Sequence, residues 1–235
     1  LGDVVHPLPI AATIRKSLPN SHIAWMVEER YQDLLHGNPD IDEVIILRTK
    51  VWRKNCNSKS LGEILHTIET LRQHKFDLVL DLHGLLKSGI IARLSGAPTR
   101  IGFHQENCKE KISALFTNQQ APYMAGGLHV VDMYLSLLQT ALGRIEETKL
   151  FPLQVPGEMD EKVAHFFSRN PDLARRPIIG INPSAGFESK QWEEVRFAEL
   201  ADRISEELGC SILLTWGPGE KFKAQQISAY MKQKN

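Results

Sequence analysis

Long apolar runs are absent from this chain of 235 residues, and no stretch reaches the roughly 20 apolar residues that a bilayer-spanning helix needs. No signal-peptide pattern occurs either. The three cysteines, Cys56, Cys108 and Cys210, lie far apart, so they provide neither a disulfide framework nor a zinc-ligand spacing. A reducing cytoplasm is therefore the simplest location for this chain.

An excess of one charge is also missing, because the formal net charge is zero. Dedicated nucleic-acid binders are usually basic, so that class is disfavoured, although a local basic patch stays possible. Gly-x-Ser-x-Gly, His-Glu-x-x-His and paired-cysteine motifs are lacking, which leaves hydrolases and metalloenzymes little support. His6, His83 and His129 are too widely separated to form a metal site, and we expect none.

Short β-branched runs alternate with amphipathic segments, and this alternation predicts an α/β fold with parallel βαβ units. The predicted strands are His22–Glu28, Glu43–Leu47, Phe76–Leu82, Pro177–Asn182 and Ser211–Trp216. The predicted helices are Pro7–Leu18, Tyr31–Gly37, Leu61–Gln73, Leu86–Leu94, Val130–Ala141, Glu158–Arg169, Glu193–Leu208 and Glu220–Lys232. The glycine- and proline-rich stretch Gly143–Gly157 predicts an interdomain connection.

The loop after the strand Pro177–Asn182 is the most informative segment of the chain. Its small residues Ser184, Ala185 and Gly186 leave backbone N–H groups exposed, and Lys190 follows within a few residues. Amide donors and a point charge can together hold a phosphate at such a strand-to-helix loop. The alternative is an ordinary turn with a solvated lysine.

Two further loops carry acidic candidates. Asp3, after Gly2, could act as a general base if it faces a cleft, or it could cap a helix that begins with a proline-containing turn. Glu220 follows the tight turn Gly217–Gly219; it could accept hydrogen bonds from ribose hydroxyls or could complement the dipole of the helix that follows. The residues alone leave these alternatives open.

Basic residues mark two loops in the amino-terminal half. One turn after a predicted strand contains Asp81, His83 and Lys87, and such a turn suits an anionic substrate. Alternatively, Asp81 caps the helix and Lys87 is solvated. The basic cluster around Arg53 and Lys54 follows the strand Glu43–Leu47. It is either a solvated face or a rim that attracts an anionic acceptor at a membrane surface.

The order of these loops resembles that of the ADP-heptose:lipopolysaccharide heptosyltransferases, glycosyltransferase family 9, and within it most of all heptosyltransferase I. The resemblance covers nearly the whole chain. It rests on the segments Leu1–His6, His22–Arg30, Asp77–Ser88, Arg100–Phe103, Lys109–Glu110, Leu115–Asn118, His129–Asp132 and Ser189–Trp192.

This resemblance implies a GT-B fold with two Rossmann-like domains. Residues 1–145 would be the acceptor-binding domain, 146–157 the linker and 158–235 the first part of the nucleotide-sugar-binding domain. The chain starts without methionine and ends without a closing element, so we expect a fragment that lacks the first strand and the carboxy-terminal half of the second domain. We expect this piece alone to transfer sugar poorly.

The resemblance also implies an activity: inverting, metal-independent transfer of heptose from ADP-heptose to a Kdo sugar of the lipopolysaccharide inner core, without a cofactor. Asp3 would be the base and Lys190 would stabilise the leaving diphosphate. The nucleotide sugar would bind to Ser184, Ala185, Gly186, Lys190 and Glu220. The acceptor would bind to Arg53, Lys54, Lys87 and Lys109.

The implied enzyme is cytoplasmic and peripheral to the inner membrane, where its acceptor Kdo-lipid A lies, and it has no transmembrane segment and no nucleic-acid partner. One alternative is a related core transferase, resembling heptosyltransferase II or using another nucleotide sugar. Another is a nucleotide-binding module without catalysis, in which Asp3 only caps a helix.

Overall fold

Parallel strands are the framework of the structure, a computed structural model that describes residues 1–55, 57–143 and 145–232. The chain forms two compact units, Leu1–Pro156 and Gly157–Asn235. Cys56 lies outside the described residues, while Cys108 and Cys210 are free thiols.

Every strand pair of the first unit is parallel, as the alternation of apolar runs and helical segments predicts. Strands β1 and β2 pair from Ala24 opposite Glu43 to Glu28 opposite Leu47. Strands β3, β4 and β5 form a second sheet in that order. The strands are β1 Ala24–Glu28, β2 Glu43–Leu47, β3 Leu78–Leu80, β4 Thr99–Gly102 and β5 Gln119–Gln120.

Helices connect these strands. Pro9 lies in the first turn of α2, where its missing N–H costs no hydrogen bond, and Gly143 ends α6 with φ 75°. The α-helices are α1 Gly2–Val5, α2 Leu8–Ser17, α3 Thr49–Lys54, α4 Ser58–Gln73, α5 Leu86–Leu94 and α6 Val130–Leu142. Short 3-10 helices cover Glu29–Leu34, Gln105–Asn107 and Lys111–Phe116.

Two apolar clusters hold the first unit together. The larger is built around α6 and includes Ile101 of β4 and Ile10 of α2. The smaller joins Val4 of α1 and Leu8 of α2 to the β1 sheet. Burial of Val4 therefore fixes α1, although this helix has only four residues.

The second unit has its own parallel strand pair, β6 Ile178–Ile181 and β7 Ser211–Leu214. Helix α9 turns Ala198 and Ala201 inward and ends at Gly209 in the left-handed conformation, φ 60°. The helices of this unit are α7 Gly157–Arg169, α8 Pro171–Ala174, α9 Glu194–Leu208 and α10 Lys221–Tyr230, with a 3-10 turn at Glu188–Lys190.

The predicted connection 146–157 lies, up to Pro156, within the first unit. The backbone N–H of Thr148 donates to the Thr13 hydroxyl over 3.1 Å, and the Asn38 amide donates to the Pro152 carbonyl over 2.8 Å. This segment is thus held on its surface by side-chain hydrogen bonds, which its glycine and proline content did not indicate.

No helix in the described ranges is long and apolar enough to cross a lipid bilayer.

His74, which follows α4, is held by two acceptors. Its Nδ1 lies 2.7 Å from the Thr70 carbonyl oxygen and its Nε2 2.8 Å from Glu43 Oε2, which His22 also contacts. An imidazole can donate from both nitrogens only when it is protonated. The Thr70 carbonyl and then the Glu43 carboxylate raise the pKa of His74. The resulting stabilisation is complete below the unfolded-state pKa, about 6.5, and is lost as pH rises through the folded-state pKa.

We therefore expect His74→Gln to lower the free energy of unfolding by at most about 1 kcal/mol near pH 6, and by less near pH 8. Urea unfolding at the two pH values measures this difference. His66→Gln, on the exposed side of the same helix, is the control. A deficit of His74→Gln that grows with pH would contradict this assignment.

Candidate functional site

Asp3 lies in the first turn of α1, and its side chain is 56% exposed. The residue that precedes the helix is Leu1, and no side chain caps the first turn. Helix α2 begins after Pro7, also without a side-chain cap. The interpretation of Asp3 as a helix cap was therefore wrong, and its carboxylate is available for another role.

Lys109 is the ion-pair partner of Asp3, with Nζ 2.9 Å from Oδ1. The hydrogen bond from Lys109 lowers the pKa of Asp3; partial burial opposes this effect, and the charge of Lys109, with that of His83 when it is protonated, adds to it. Asp3 is accordingly an ionised carboxylate at neutral pH, which is the form that can accept a proton.

Asp81 organises the turn beside this ion pair. It is only 5% exposed, and its Oδ1 accepts hydrogen bonds from the N–H groups of His83 (3.0 Å) and Gly84 (3.2 Å). Its Oδ2 accepts from the buried Ser113 hydroxyl, 3.1 Å away. The alternative in which Asp81 caps α5 was wrong, because Leu85 precedes that helix and Asp81 binds the turn before it.

Gly84 brings this turn against the backbone of Lys109. Its φ is +61°, and a Cβ there would lie 3.1 Å from Cys108 Cα and 3.4 Å from the Lys109 nitrogen. The Gly84 carbonyl accepts from the N–H of Glu110, and the Glu110 carboxylate accepts from the first N–H of α5, at Leu86, over 2.6 Å. These contacts fix the backbone that carries Lys109.

Two neutral groups complete the surroundings of Asp3. Burial lowers the pKa of His83, and the nearby Asp3 carboxylate raises it only in part. Burial, with a contribution from Asp3, raises the pKa of Tyr134 to about 12. No local sequence pattern marks Tyr134 or Ser113, since their place beside the site depends on contacts between distant segments.

Replacing Asp81 by alanine should be costly, because it leaves the N–H groups of His83 and Gly84 without their acceptor. An unsatisfied buried donor costs about 1–3 kcal/mol, so we expect a loss of at least about 2 kcal/mol in the free energy of unfolding. Urea unfolding of Asp81→Ala measures it. Asp77→Ala, exposed one residue before β3, should change stability by less than about 0.5 kcal/mol. Equal effects of the two substitutions would contradict the anchoring role of Asp81.

Lys87 lies in the first turn of α5, with its Nζ 2.9 Å from Glu28 Oε1 at the end of β1. The Thr49 hydroxyl donates to the same oxygen. Burial tends to raise the pKa of Glu28, but these two hydrogen bonds outweigh it and the net shift is downward. Lys87 is thus ion-paired, and its side chain is also exposed to solvent, as the alternative of a solvated lysine expects.

Glu28 also borders a small cavity of about 160 Å³ at the start of α3. Arg53 and Lys54 are exposed in the last turn of this helix. The remaining lining residues are Glu29, Arg30, Leu47, Arg48, Lys50 and Val51. Lys87 at the start of α5 and Thr49 at the start of α3 thus meet at Glu28 and form one rim at the carboxyl ends of β1 and β2. Arg53 and Lys54 lie at the far end of α3 and do not line the cavity.

In the second unit, β6 leads into the loop predicted to bind phosphate. The Asn182 carboxamide oxygen accepts from the N–H of Ser184 over 3.0 Å, and the Gln191 amide donates to the Ala185 carbonyl over 3.2 Å. These bonds shape a turn around Gly186, which is exposed. Lys190 is exposed at the end of the loop, with Nζ 5.5 Å from the centre of the Phe187 ring.

Glu220 closes a neighbouring turn. Its Oε2 accepts from the N–H of Gly217 over 2.8 Å, and a Cβ at Gly217 would lie 3.0 Å from the same oxygen. The Ser184 hydroxyl is the first cause of the lowered pKa of Glu220, followed by the Gly217 N–H. That hydroxyl is buried near the carboxylate, but its geometry satisfies no hydrogen bond among the described residues. The two loops of this unit thus meet at Ser184 and Glu220.

The predicted residues thus lie in two groups, one in each unit. Asp3 and Lys109 lie together in the first unit, beside the rim that carries Lys87. Ser184 and Glu220 lie together in the second, on loops at the carboxyl ends of β6 and β7. Within the described ranges, no three His, Cys, Asp or Glu side chains are grouped as a metal site would require.

Comparison with solved structures identifies the fold as that of GT-B glycosyltransferases. The glycosyl transferase family 9 structure from Veillonella parvula DSM 2008 matches 100% of this chain with a TM-score of 0.83 at 25% identity; the match covers 65% of that protein. Escherichia coli heptosyltransferase WaaC, solved with ADP and with ADP-2-deoxy-2-fluoro heptose, matches 98% with TM-scores of 0.75 and 0.74, also at 25% identity. These matches cover 70% and 71% of the E. coli protein. The predicted fold class is confirmed.

Sequence comparison then gives the family. The model of glycosyltransferase family 9 (heptosyltransferase) matches residues 64–235, and the chain belongs to this family. Lipopolysaccharide heptosyltransferase 1 of Pseudomonas aeruginosa PAO1 is 28% identical over 97% of the chain. The chain spans 62% of the length of that relative. The family resemblance inferred from the loops is confirmed.

Proposed function

We propose that the protein transfers heptose from ADP-heptose to a Kdo residue of the lipopolysaccharide inner core, with inversion at the anomeric carbon. The observation that carries the proposal is the half-exposed, ionised Asp3 carboxylate, held on a short helix that the buried Val4 fixes, in a chain of the heptosyltransferase family. The relatives named lipopolysaccharide heptosyltransferase 1, and the E. coli enzyme solved with ADP, support both the donor and the pathway step.

In this mechanism Asp3 is the general base. Its carboxylate accepts the proton of an acceptor hydroxyl while that oxygen forms a bond to the anomeric carbon of heptose. The bond from this carbon to the diphosphate breaks, and ADP leaves with both bonding electrons. A positioned carboxylate typically accelerates such a step by about 10²–10⁴-fold.

Lys190 and the loop before it hold the departing diphosphate. Fixed positive charge and backbone donors stabilise developing negative charge without a metal ion, so we propose a metal-independent and cofactor-free reaction. Ala185 and Gly186 would offer backbone donors and Ser184 its hydroxyl at the carboxyl end of β6, where open α/β sheets bind their ligands. Glu220 would accept hydrogen bonds from the ribose hydroxyls.

The acceptor would bind on the first unit. Kdo carries a carboxylate, and the cations Arg53, Lys54, Lys87 and Lys109 lie on or near the rim that α3 and α5 form. Because this acceptor is attached to lipid A, the enzyme would work at the cytoplasmic face of the inner membrane as a peripheral protein.

The test is an assay of the full-length protein with ADP-heptose and Kdo-lipid A. We expect one heptose to be added, with the anomeric configuration opposite to that of the donor, and the activity to persist in EDTA. A second assay replaces Kdo-lipid A by an acceptor that already carries the first heptose. Transfer only to that acceptor would establish the related activity of heptosyltransferase II, and ADP-heptose binding without transfer would establish a non-catalytic module.

A further inference from the structure

Lys109 can pair with either of two carboxylates, that of Asp3 or that of the acceptor. In the structure its ammonium contacts Asp3, 2.9 Å away, and in the proposed function it meets the carboxylate of the acceptor. Its side chain is 52% exposed, so an incoming anion can reach it. The ammonium has three N–H donors, but a second carboxylate that binds it takes one of them and neutralises its charge. The contact with the acceptor therefore weakens the contact with Asp3.

The backbone on either side of Lys109 is fixed. Gly84 packs against the Lys109 nitrogen, and Glu110 is tied to the loop by its N–H and by its carboxylate. A change of partner is therefore made by the lysine side chain, through its flexible methylene stem. The Cα of Lys109 therefore stays in the same place in both contacts.

We propose that Lys109 is a positioning residue that holds the Asp3 carboxylate while the acceptor site is empty and moves to the acceptor carboxylate when Kdo binds, which leaves Asp3 free to take the hydroxyl proton. This inference rests on the proposed function. In this scheme Asp3 loses its contact with Lys109 only when an anionic acceptor binds. A neutral sugar would leave Asp3 paired with Lys109.

The other groups that face Asp3 do not exchange in this way. His83 is partly buried, and burial favours its neutral form; Tyr134 is buried and neutral; and the amino group of Leu1 adds a weaker positive charge. Asp81 and Lys87 act on His83 rather than directly on Asp3. Lys109 is the largest influence on the Asp3 carboxylate within the described residues, so its removal should be visible in the titration of Asp3.

The kinetic test uses the full-length enzyme with Lys109→Met, Lys109→Arg and, as a matched control, Lys111→Met. Lys111 is exposed and pairs with Glu106, also a carboxylate. The profile of kcat/KM against pH reports the free enzyme, and that of kcat reports the complex. For Lys109→Met we expect the acid limb of kcat/KM to move to higher pH, the acid limb of kcat to stay in place, and KM for the acceptor to rise about tenfold. Lys109→Arg should restore the position of the kcat/KM limb.

An unmoved kcat/KM limb, or an equal movement of both limbs, would overturn the exchange. A readout without activity is the ¹³C titration of the Asp3 carboxyl. The Asp3 pKa should rise when free Kdo is added to the wild-type protein, and it should already be raised in Lys109→Met without Kdo. If Kdo leaves the titration unchanged while transfer proceeds, the inference alone fails. If the titration behaves as expected but no acceptor is glycosylated, the proposed function fails while the exchange of partners stands.

Discussion

Asp3→Asn should reduce turnover by about 10³-fold, the largest effect that we expect from any single substitution. Asparagine has nearly the size and shape of aspartate, but its carboxamide cannot accept the proton of the acceptor hydroxyl. The fold should persist, because α1 is held by burial of Val4 and the Asp3 side chain is half exposed. Initial rates at saturating ADP-heptose and acceptor measure the effect on kcat.

The matched control for this substitution is Asp132→Asn. Asp132 is also in the first turn of a helix and pairs with a lysine, Lys149, so the control removes the same charge from a similar ion pair. We expect its turnover to remain within about twofold of wild type. Asp3→Asn that keeps more than a tenth of wild-type kcat would show that Asp3 is not the base, and would leave Asp3 with only a structural role.

Lys190→Ala should reduce kcat by about 10²–10³-fold, the range found when one donor to a developing negative charge is removed. The ammonium would neutralise charge that grows on the diphosphate as the bond to heptose breaks. Lys190→Arg should recover part of the loss, because it keeps the charge but changes the geometry of the donors. Steady-state kinetics and ADP affinity by calorimetry measure the two consequences.

Lys162→Ala is the control for this second substitution, because it removes an exposed lysine from α7 in the same unit. It should leave both kcat and ADP affinity unchanged. If Lys190→Ala weakens ADP binding but leaves kcat at saturation intact, the lysine only binds the nucleotide and does not stabilise the leaving group.

The strands with apolar, β-branched sequences could be predicted well from local pattern. The prediction for β2 matches the structure residue for residue, as does that for α5. β4 and β5 could not be predicted in this way, because Thr99–Gly102 and Gln119–Gln120 are short and partly polar. β4 is a strand through its pairing with β3, and β5 through its pairing with β4. Predicted helix Tyr31–Gly37 is instead the 3-10 turn Glu29–Leu34.

The candidate site likewise has parts that local sequence predicts and parts that it does not. The loops that follow β2, β3, β6 and β7 could be found from sequence, since small and charged residues after an apolar run have a local signature. Individual pairings could not be found, because Asp3 meets Lys109 and Asp81 meets Ser113 only through the packing of distant segments. The helix-cap interpretation of Asp3 failed because α1 begins at Gly2, so Leu1 precedes the helix. That of Asp81 failed because α5 begins only at Leu86, after the turn that Asp81 binds.

The central claim is that the Asp3 carboxylate takes the proton of the acceptor. It is tested most directly by a crystal structure of the full-length protein with ADP-2-deoxy-2-fluoro heptose and a Kdo acceptor. We predict that an Asp3 carboxylate oxygen lies about 2.6–3.2 Å from the acceptor hydroxyl that faces the anomeric carbon, with Lys190 at the diphosphate. An Asp3 side chain turned away from a correctly bound acceptor would contradict the account.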